Sequence, residues 1–423
     1  MRILDPVHKY ITFSDQEALL VDSALFQRLR YIRQLGFAEF AFPGAVHNRF
    51  LHSIGVCHLA GRAFDSLLFL DGFLSPKKKK DFRQLVRLAA LLHDVGHGPL
   101  SHISEVAMPP LKNLSLSSFS AQDEDGQAAH EHYTIKIILE SEIGDIIKNM
   151  GIDPLYVAHL IDDRIQLVDS DFFISKGVDF KPLLKQIVSS DLDMDRMDYL
   201  QRDAFFCGTD YGFCDHEWIL QNMRVHINKD KAFMGIGQKA VYSMESFFLG
   251  RRHMGLAIYF HNKMVAMDQM LYHYFLSDNC DFRIPVSLEE YLYCTDISLF
   301  ENLRGAACKN EWARRILEKK PYEKVYEVPY TGINKAEQIE KLEKVREVLK
   351  KKSIPFIHTK SSDHIEKHIV QKHNSFPIYV VNETTGQAVN LMERMRMFNQ
   401  KEHIVLMDRI YVPPEVKSKV YFS

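Results

Sequence analysis

Through the first two-thirds of the chain, apolar residues recur at helical spacing. From Ser23, the positions Leu25, Leu29 and Ile32 share one face, and Gly36 closes the segment. Leu51 to Leu70 repeats the pattern through Ile54, Leu59, Phe64, Leu67 and Leu68. Phe82, Leu85, Val86, Ala89 and Leu92 repeat it again up to Gly96. Leu183–Phe206 and Val241–Phe275 read as two further long helices. The run Lys77–Lys80 reads as a solvated helix start. Asn113–Gly126 is rich in Ser, Asp and Gly without periodicity, and reads as a surface loop or lid within a flexible stretch near 108–128. After about Pro321 the character changes. A charged amphipathic helix over Lys335–Lys352 is flanked by β-like runs at Lys324–Val328, Phe376–Val381, Ala388–Leu391 and His403–Val412. The expected architecture is mainly α: a helical domain over 1–320 and a smaller α+β annex over 321–423.

Composition narrows the function classes. The 423 residues carry 53 Lys+Arg against 55 Asp+Glu, a formal net charge of -2. That argues against a globally basic nucleic-acid coat or an acidic tail protein, and leaves room for a local basic funnel. The six cysteines include no C-x-x-C pair, which disfavours a thiolate zinc ribbon or a thioredoxin-like motif. Free thiols fit a reducing cytoplasm, the expected location. The N-terminus lacks the apolar region of a signal peptide, and no stretch approaches the roughly 18 apolar residues of a membrane span, so no membrane partner is expected.

The chemistry concentrates in one segment, Leu91-Leu92-His93-Asp94-Val95-Gly96-His97-Gly98-Pro99-Leu100-Ser101-His102. An apolar helix runs into a His-Asp pair, and Gly and Pro then break it. Neighbouring residues on a helix point about 100° apart, so His93 and Asp94 converge on one ion only near a helix end. Gly96 and Gly98 let the backbone turn and bring His97 and His102 round the same spot. Further ligands are His52, in Asn48-Arg49-Phe50-Leu51-His52-Ser53, and Asp195, in Asp191-Leu192-Asp193-Met194-Asp195-Arg196-Met197-Asp198-Tyr199. Each lies on an otherwise apolar helix, where an unpaired ionisable group would be costly. Two His and two carboxylates suit Mn, Mg, Fe, Ni or Zn and do not choose among them. On the helix of Asp195, the residues Tyr199, Arg202 and Asp203 fall on the same face.

The spacing of His52, His93-Asp94 and Asp195 resembles the H…HD…D signature of the HD-domain phosphohydrolases. The flanks are more specific. Phe42-Pro43-Gly44-Ala45, Asn48-Arg49-Phe50, His52-Ser53, the stretch His93–His102, Met197-Asp198-Tyr199 and Arg202-Asp203 are similar to the deoxynucleoside triphosphate triphosphohydrolases. That branch holds the bacterial dGTPases and the SAM-and-HD-domain dNTPases. The resemblance runs from Asp5 to about His261; no SAM-type domain is evident ahead of Asp5-Pro6. It implies an HD-domain helical bundle and hydrolysis of a dNTP to deoxynucleoside and inorganic triphosphate. His52, His93, Asp94 and Asp195 would be the metal ligands, and Arg49 would face the α-phosphate. His97, His102 and His130 would surround the scissile bond, with Glu105 orienting His102 as the acid that protonates the departing 5′ oxygen. His130-Glu131 matches the family's third histidine better than His132. Relatives often carry Asp where Glu105 stands, and Lys where Arg196 stands. Arg196 is equally able to hold phosphate, Arg251 would touch the distal phosphates, and with Arg49 they would balance the triphosphate charge. Gln34 and Asp203 would read the 3′-OH beside Tyr199, and Leu35 and Tyr259 would crowd the 2′ position against ribonucleotides.

Asp22, Gln27 and Arg30 match positions that bind an activating guanine nucleotide, such as GTP or dGTP, between subunits in the SAM-and-HD-domain branch. Activation of that kind implies a homo-oligomer, dimer or tetramer. Two other functions compete. An HD phosphatase or phosphodiesterase acting on another nucleotide shares the metal core. A nucleic-acid-binding regulatory module with a vestigial site is the third; retention of every expected ligand argues against it, and the near-neutral charge gives single-stranded nucleic acid no positive support.

Overall fold

The computed structural model describes residues 1–67, 70–116, 126–167, 169–330, 335–360, 376–395 and 406–420. Most of the Ser/Asp/Gly-rich stretch and the start of the His403–Val412 run lie outside them. The chain is mainly α-helical. No helix among the described residues is long and apolar enough to cross a membrane.

The chain opens with an antiparallel hairpin of β1 (Arg2–Asp5) and β2 (Lys9–Thr12), with Ile3 opposite Ile11. Asp5 Oδ1 fixes its turn by accepting from the N–H of Val7 at 2.9 Å and of His8 at 2.8 Å. Ser14 and Glu17 cap α1 (Asp15–Asp22) reciprocally. The helix expected from Ser23 is shorter than read: α2 (Ala24–Gln27) tightens into a 3₁₀ turn over Arg28–Tyr31, and Ile32 is already extended.

The centre is α3 (Arg49–Ser66), packed along α4 (Pro76–Leu92) and α9, which spans Met194–Cys207. Ser75 caps α4 and Pro76 takes its first turn, where the missing N–H costs nothing. Phe82, Leu85, Val86, Ala89 and Leu92 are fully buried on its inner face. Lys78 instead lies over the Phe172 ring at 4.8 Å. Around these three stand α5 (His130–Glu140), α6 (Glu142–Asn149), α7 (Pro154–Ile161) and α8 (Lys181–Val188). Further on come α10 (His216–Gln221), α11 (Val241–Met254), α12 (Asn262–Phe275), α13 (Leu288–Tyr291), α14 (Asp296–Ala306) and α15 (Glu311–Leu317).

Two long helices read from periodicity are broken. Leu183–Phe206 divides between α8 and α9, because Asp193 accepts from the N–H of Ser190 at 2.8 Å and of Arg196 at 2.7 Å. Those local side-chain bonds outcompete helix continuation. Val241–Phe275 is interrupted by a π-turn over Gly255–Tyr259, and Arg409 donates to the Phe260 carbonyl just beyond it. Periodicity does not see either event.

Strands β3 (Ile174–Ser175), β4 (Val178–Asp179), β5 (Met223–Asn228), β6 (Lys231–Gly237), β7 (Glu323–Tyr330), β8 (Ile357–Lys360), β9 (Tyr379–Val381), β10 (Ala388–Asn390) and β11 (Leu406–Val412) form two more sheets. One runs β10-β9-β6-β4-β3, with β5 also paired to β6. Its β6–β9 pairing is parallel, Gly235 opposite Tyr379. The other, β7-β11-β8, packs against α16 (Lys335–Lys351) around its own core of Val328, Leu342, Val345, Leu349, Ile410 and Val412. Ile378 and Val380 belong instead to the large core. The late chain therefore divides between a small separate core and the edge of the sheet beside the helices.

Candidate active site

Helix ends bring the motif residues to one point. Asn48 caps α3 by accepting from Leu51 N–H, which sets Arg49 and His52 on its first turn. His93 and Asp94 stand where α4 runs out, and Asp195 is the second residue of α9. Gly96 lets α5 close in: a Cβ there would lie 2.2 Å from Thr134 N and 2.3 Å from the His130 carbonyl oxygen. Leu100 and Ser101 take left-handed φ of 54° and 64°, strained for non-glycine residues at roughly 1–3 kcal/mol each. Asp296 holds the turn by accepting from the N–H of Leu100 at 2.7 Å and of Arg33 at 3.0 Å.

The four expected ligands meet. His52 Nε2 is 3.0 Å from Asp195 Oδ1 and 3.5 Å from Asp94 Oδ2. His93 Nε2 is 3.4 Å from Asp94 Oδ1 and 3.6 Å from Asp195 Oδ1. Donor atoms about 2.1 Å from one ion stand about 3.0–3.4 Å from each other, so this spacing leaves room for one cation. The far ring nitrogens are engaged: His52 Nδ1 with Asp198 Oδ2 and His93 Nδ1 with the Ala90 carbonyl, both at 2.8 Å. That orientation turns both Nε2 atoms inward, where each is buried without a hydrogen bond. An N/O donor set without thiolate fits a divalent metal.

The charges agree. Burial opposes protonation of His52, but Asp195 and Asp198 outweigh it and push its pKa up to about 10. Burial opposes ionisation of Asp94 and Asp195 as well. Arg49, His93 and His97 hold Asp94 below the usual carboxylate range, and His52 and His93 do the same for Asp195. Both carboxylates stay ionised, as ligands of a cation must be.

Beside it stands a wall of three imidazoles. Glu105 Oε1 accepts from His102 Nδ1 at 2.9 Å and from His130 Nδ1 at 2.7 Å. His97 stacks on His130 at 3.7 Å and 16°, and His102 stands edge-on to both. Their donor atoms lie close enough together to hold an ion as well, and Glu105, by fixing Nδ1 of two of the rings, also suits them to proton handling. Burial, Arg49 and His130 keep the pKa of His97 low. Burial works against a proton on His130, but Glu131 and Glu105 outweigh it and hold its pKa at about 9. His132 turns away: its Nδ1 accepts from Ala129 N–H at 2.9 Å and caps α5.

A cavity of about 600 Å³ opens from this corner, within the usual range of about 300–1,000 Å³ for small-molecule sites. Gln34, Leu35, Arg49, Arg196, Tyr199, Asp203 and Tyr259 all line it, with Gln34 Oε1 buried and unpartnered. Arg49 pairs with Asp94 and donates to Ser101 Oγ at 3.0 Å. Arg196 is anchored by Asp193 and the Ser190 carbonyl. Two residues depart from expectation. Arg251 is buried, and burial and then the nearby Arg196 lower its pKa; it does not border the cavity. Arg202 leaves the face it shares with Asp195 and turns to Asp198 and Asp5.

Asp22 ends α1 and is exposed. Gln27 donates to the Val21 carbonyl, Arg30 donates to Gln27 Oε1 at 2.7 Å, and the Arg30 guanidinium covers the Phe50 ring at 3.6 Å. None of the three borders the cavity. Between them, Arg28 donates to the carbonyls of Val95 and His97, which ties this segment to the active-site loop.

Some residues escaped the sequence reading. His47 Nε2 lies 2.7 Å from Asp203 Oδ1, its ring stacked on Phe206, while the Tyr259 hydroxyl donates to Asp203 Oδ2 at 2.9 Å. His47 stands two residues before Arg49, between the Phe42–Ala45 and Asn48–Phe50 motifs, and that position was the available signal. Lys185 and Arg164 also line the cavity, paired with Asp163 and Asp162; nothing in their local sequence marks them.

Comparison with known proteins places this geometry. The HD domain pattern matches residues 49–203, which contain all four ligands. The chain therefore carries an HD domain over this segment. It is 28% identical over 354 residues to the deoxynucleoside triphosphate triphosphohydrolase SAMHD1 of Homo sapiens, covering 78% of this chain and 54% of that protein. An uncharacterized protein of Mycoplasma pneumoniae is 33% identical over 274 residues, 64% of this chain and 59% of its own length. The chain thus spans between half and three-fifths of these relatives. A hypothetical protein of Aquifex aeolicus of known structure superposes with a TM-score of 0.74 at 25% identity, covering 99% of this chain and 98% of that one.

Proposed function

We propose that the protein hydrolyses deoxynucleoside triphosphates to deoxynucleoside and inorganic triphosphate in a metal-dependent reaction. The observation that carries this reading is one cavity bordered by His93, Asp94 and Asp195 of the ligand corner, by the three wall histidines, and by Asp203 and Tyr259. A divalent ion held by His52, His93, Asp94 and Asp195 would supply charge neutralisation at the phosphoryl oxygens and activation of water.

The chain's own residues do the rest. Arg49, already beside Asp94, faces the α-phosphate, and Arg196 takes the distal phosphates. Attack of a water oxygen on the α-phosphorus forms one P–O bond and breaks the bond to the 5′ oxygen, which keeps the electron pair and takes a proton, while the water's own proton leaves to solvent. His102 gives that proton, because Glu105 holds its Nδ1–H and leaves Nε2 toward the cavity. Asp203 and Gln34 receive the 3′-OH. The Tyr259 ring, fixed by its bond to Asp203, stands with Leu35 against a 2′-hydroxyl.

Activation by GTP or dGTP at Asp22, Gln27 and Arg30 belongs to this proposal, with a homo-oligomer that shares the site between protomers. The link is Arg28, whose bonds to the Val95 and His97 carbonyls connect that surface to the catalytic loop.

The test is to incubate the protein, loaded with Mn²⁺ or Mg²⁺, with each dNTP and rNTP, with and without GTP, and to identify the products. Triphosphate release from dNTPs supports the reading. Pyrophosphate or orthophosphate as product points to a phosphatase or phosphodiesterase of the same class. Absence of turnover with tight single-strand binding refutes an enzymatic role.

A further inference from the structure

The N-terminal hairpin takes no part in the chemistry above, yet its turn is wired to a metal ligand. Asp198 lies on α9 with both oxygens fully buried, behind His52 as seen from the cavity. Its Oδ2 is met by His52 Nδ1 at 2.8 Å and Arg202 Nε at 2.8 Å. Its Oδ1 is met by His8 Nε2 at 2.6 Å and Arg202 Nη2 at 2.9 Å. A carboxylate offers about four lone-pair sites. All are used, and each donor comes at a different angle, so the group has one orientation.

The donors are fixed in turn. Arg202 Nη1 reaches Asp5 Oδ2 at 2.8 Å, and Asp5 Oδ1 binds the backbone N–H of His8 itself. The His8 side chain is only 6% exposed. On the opposite side, Gly55 makes room: a Cβ there would lie 2.0 Å from Asp198 Oδ1 and 2.4 Å from Arg202 Nη2. This is a built assembly spanning the hairpin, α3 and α9.

We propose that His8 is a positioning residue of the metal centre. By holding Asp198, it keeps the proton of His52 on Nδ1 and the Nε2 lone pair on the ion, so the hairpin sets how tightly metal is retained. The inference rests on the metal reading above. A carboxylate cannot donate, so His8 presents Nε2–H to Asp198. Without that donor, Oδ1 loses one of its two constraints and Asp198 can rotate off the His52 ring. Partners of this kind behind a metal-bound imidazole typically change affinity about 10- to 100-fold.

The experiment measures Mn²⁺ binding to the full-length protein, stripped with chelator, by titration with electron paramagnetic resonance of the free ion. Wild type, His8→Ala, His8→Gln and His8→Asn are compared, with thermal midpoints of the metal-free proteins alongside. Gln can place an amide N–H near the position of Nε2; Asn is too short. The expected result is about 10-fold or greater weakening in His8→Ala and His8→Asn, with His8→Gln within about threefold of wild type. Wild-type affinity in His8→Ala, or equal loss in Gln and Asn variants, would overturn the proposal. If His8→Ala does not fold, the contrast between Gln and Asn decides. Wild type that takes up no Mn²⁺, Fe²⁺ or Zn²⁺ removes the metal reading itself, and the proposal with it.

Discussion

Replacing Glu105 by Gln isolates charge from shape. The carboxylate has 14% of its side chain exposed and its Oε1 serves two rings, His102 at 2.9 Å and His130 at 2.7 Å. Gln keeps one acceptor of nearly the same reach and removes the charge. Hydrogen bonds to a charged group contribute about 1.5–3 kcal/mol each. At about 1.4 kcal/mol per unit, losing that preference for the protonated ring lowers the titration of His130 by roughly one to two pH units. The sign follows from His130, held at about 9 against an ordinary 6.5. Its protonated form is favoured in the folded state, so this contribution to stability is full below about pH 6.5 and disappears as pH rises through 9. In Glu105→Gln the alkaline limb of kcat/KM against pH should move toward neutrality by one unit or more. With a general acid contributing about 10²–10⁴-fold, kcat at pH 8 should fall by at least tenfold. The thermal-midpoint difference from wild type should be larger at pH 7 than at pH 10. The assay is triphosphate release from dNTPs in Mn²⁺ between pH 6 and 10. An unchanged alkaline limb with kcat within about threefold of wild type would refute the role of Glu105.

Other outcomes follow from the same geometry. His93→Ala and Asp195→Ala should each abolish both retention of metal through dialysis, read by elemental analysis, and turnover; full occupancy in either would overturn the ligand set. His47→Ala removes one of the two groups holding Asp203, so KM for dNTPs should rise about tenfold, roughly 1.4 kcal/mol, while discrimination against 3′-deoxy substrates falls. An unchanged ratio between the two substrates would show that Asp203 does not depend on His47. Gly96→Ala drives a methyl into the backbone of α5. Overpacking of this kind costs about 1–3 kcal/mol, and the thermal midpoint should drop by a few degrees.

What the sequence could show, and what it could not, divides along the range of the interactions. The inner face of α4 was legible because Phe82 to Leu92 repeat within one element, and burial of one stripe is decided locally. The His93–His102 turn was legible because its glycines and histidines are adjacent in the chain. Helix ends were harder. The break between α8 and α9 depends on where the Asp193 carboxylate goes, and the π-turn before Phe260 depends on an arginine 149 residues later. Long-range pairings were out of reach. Asp198 sits in a recognisable Met197-Asp198-Tyr199 string, but its partner His8 lies 190 residues away in a turn whose only local mark is Asp5-Pro6. The same holds for β9, an unremarkable apolar run until it lies parallel to β6. Motifs report which side chains react. Which side chains hold those in place is settled by packing, and a residue such as His8 carries no chemical signature until Asp198 is seen beside it.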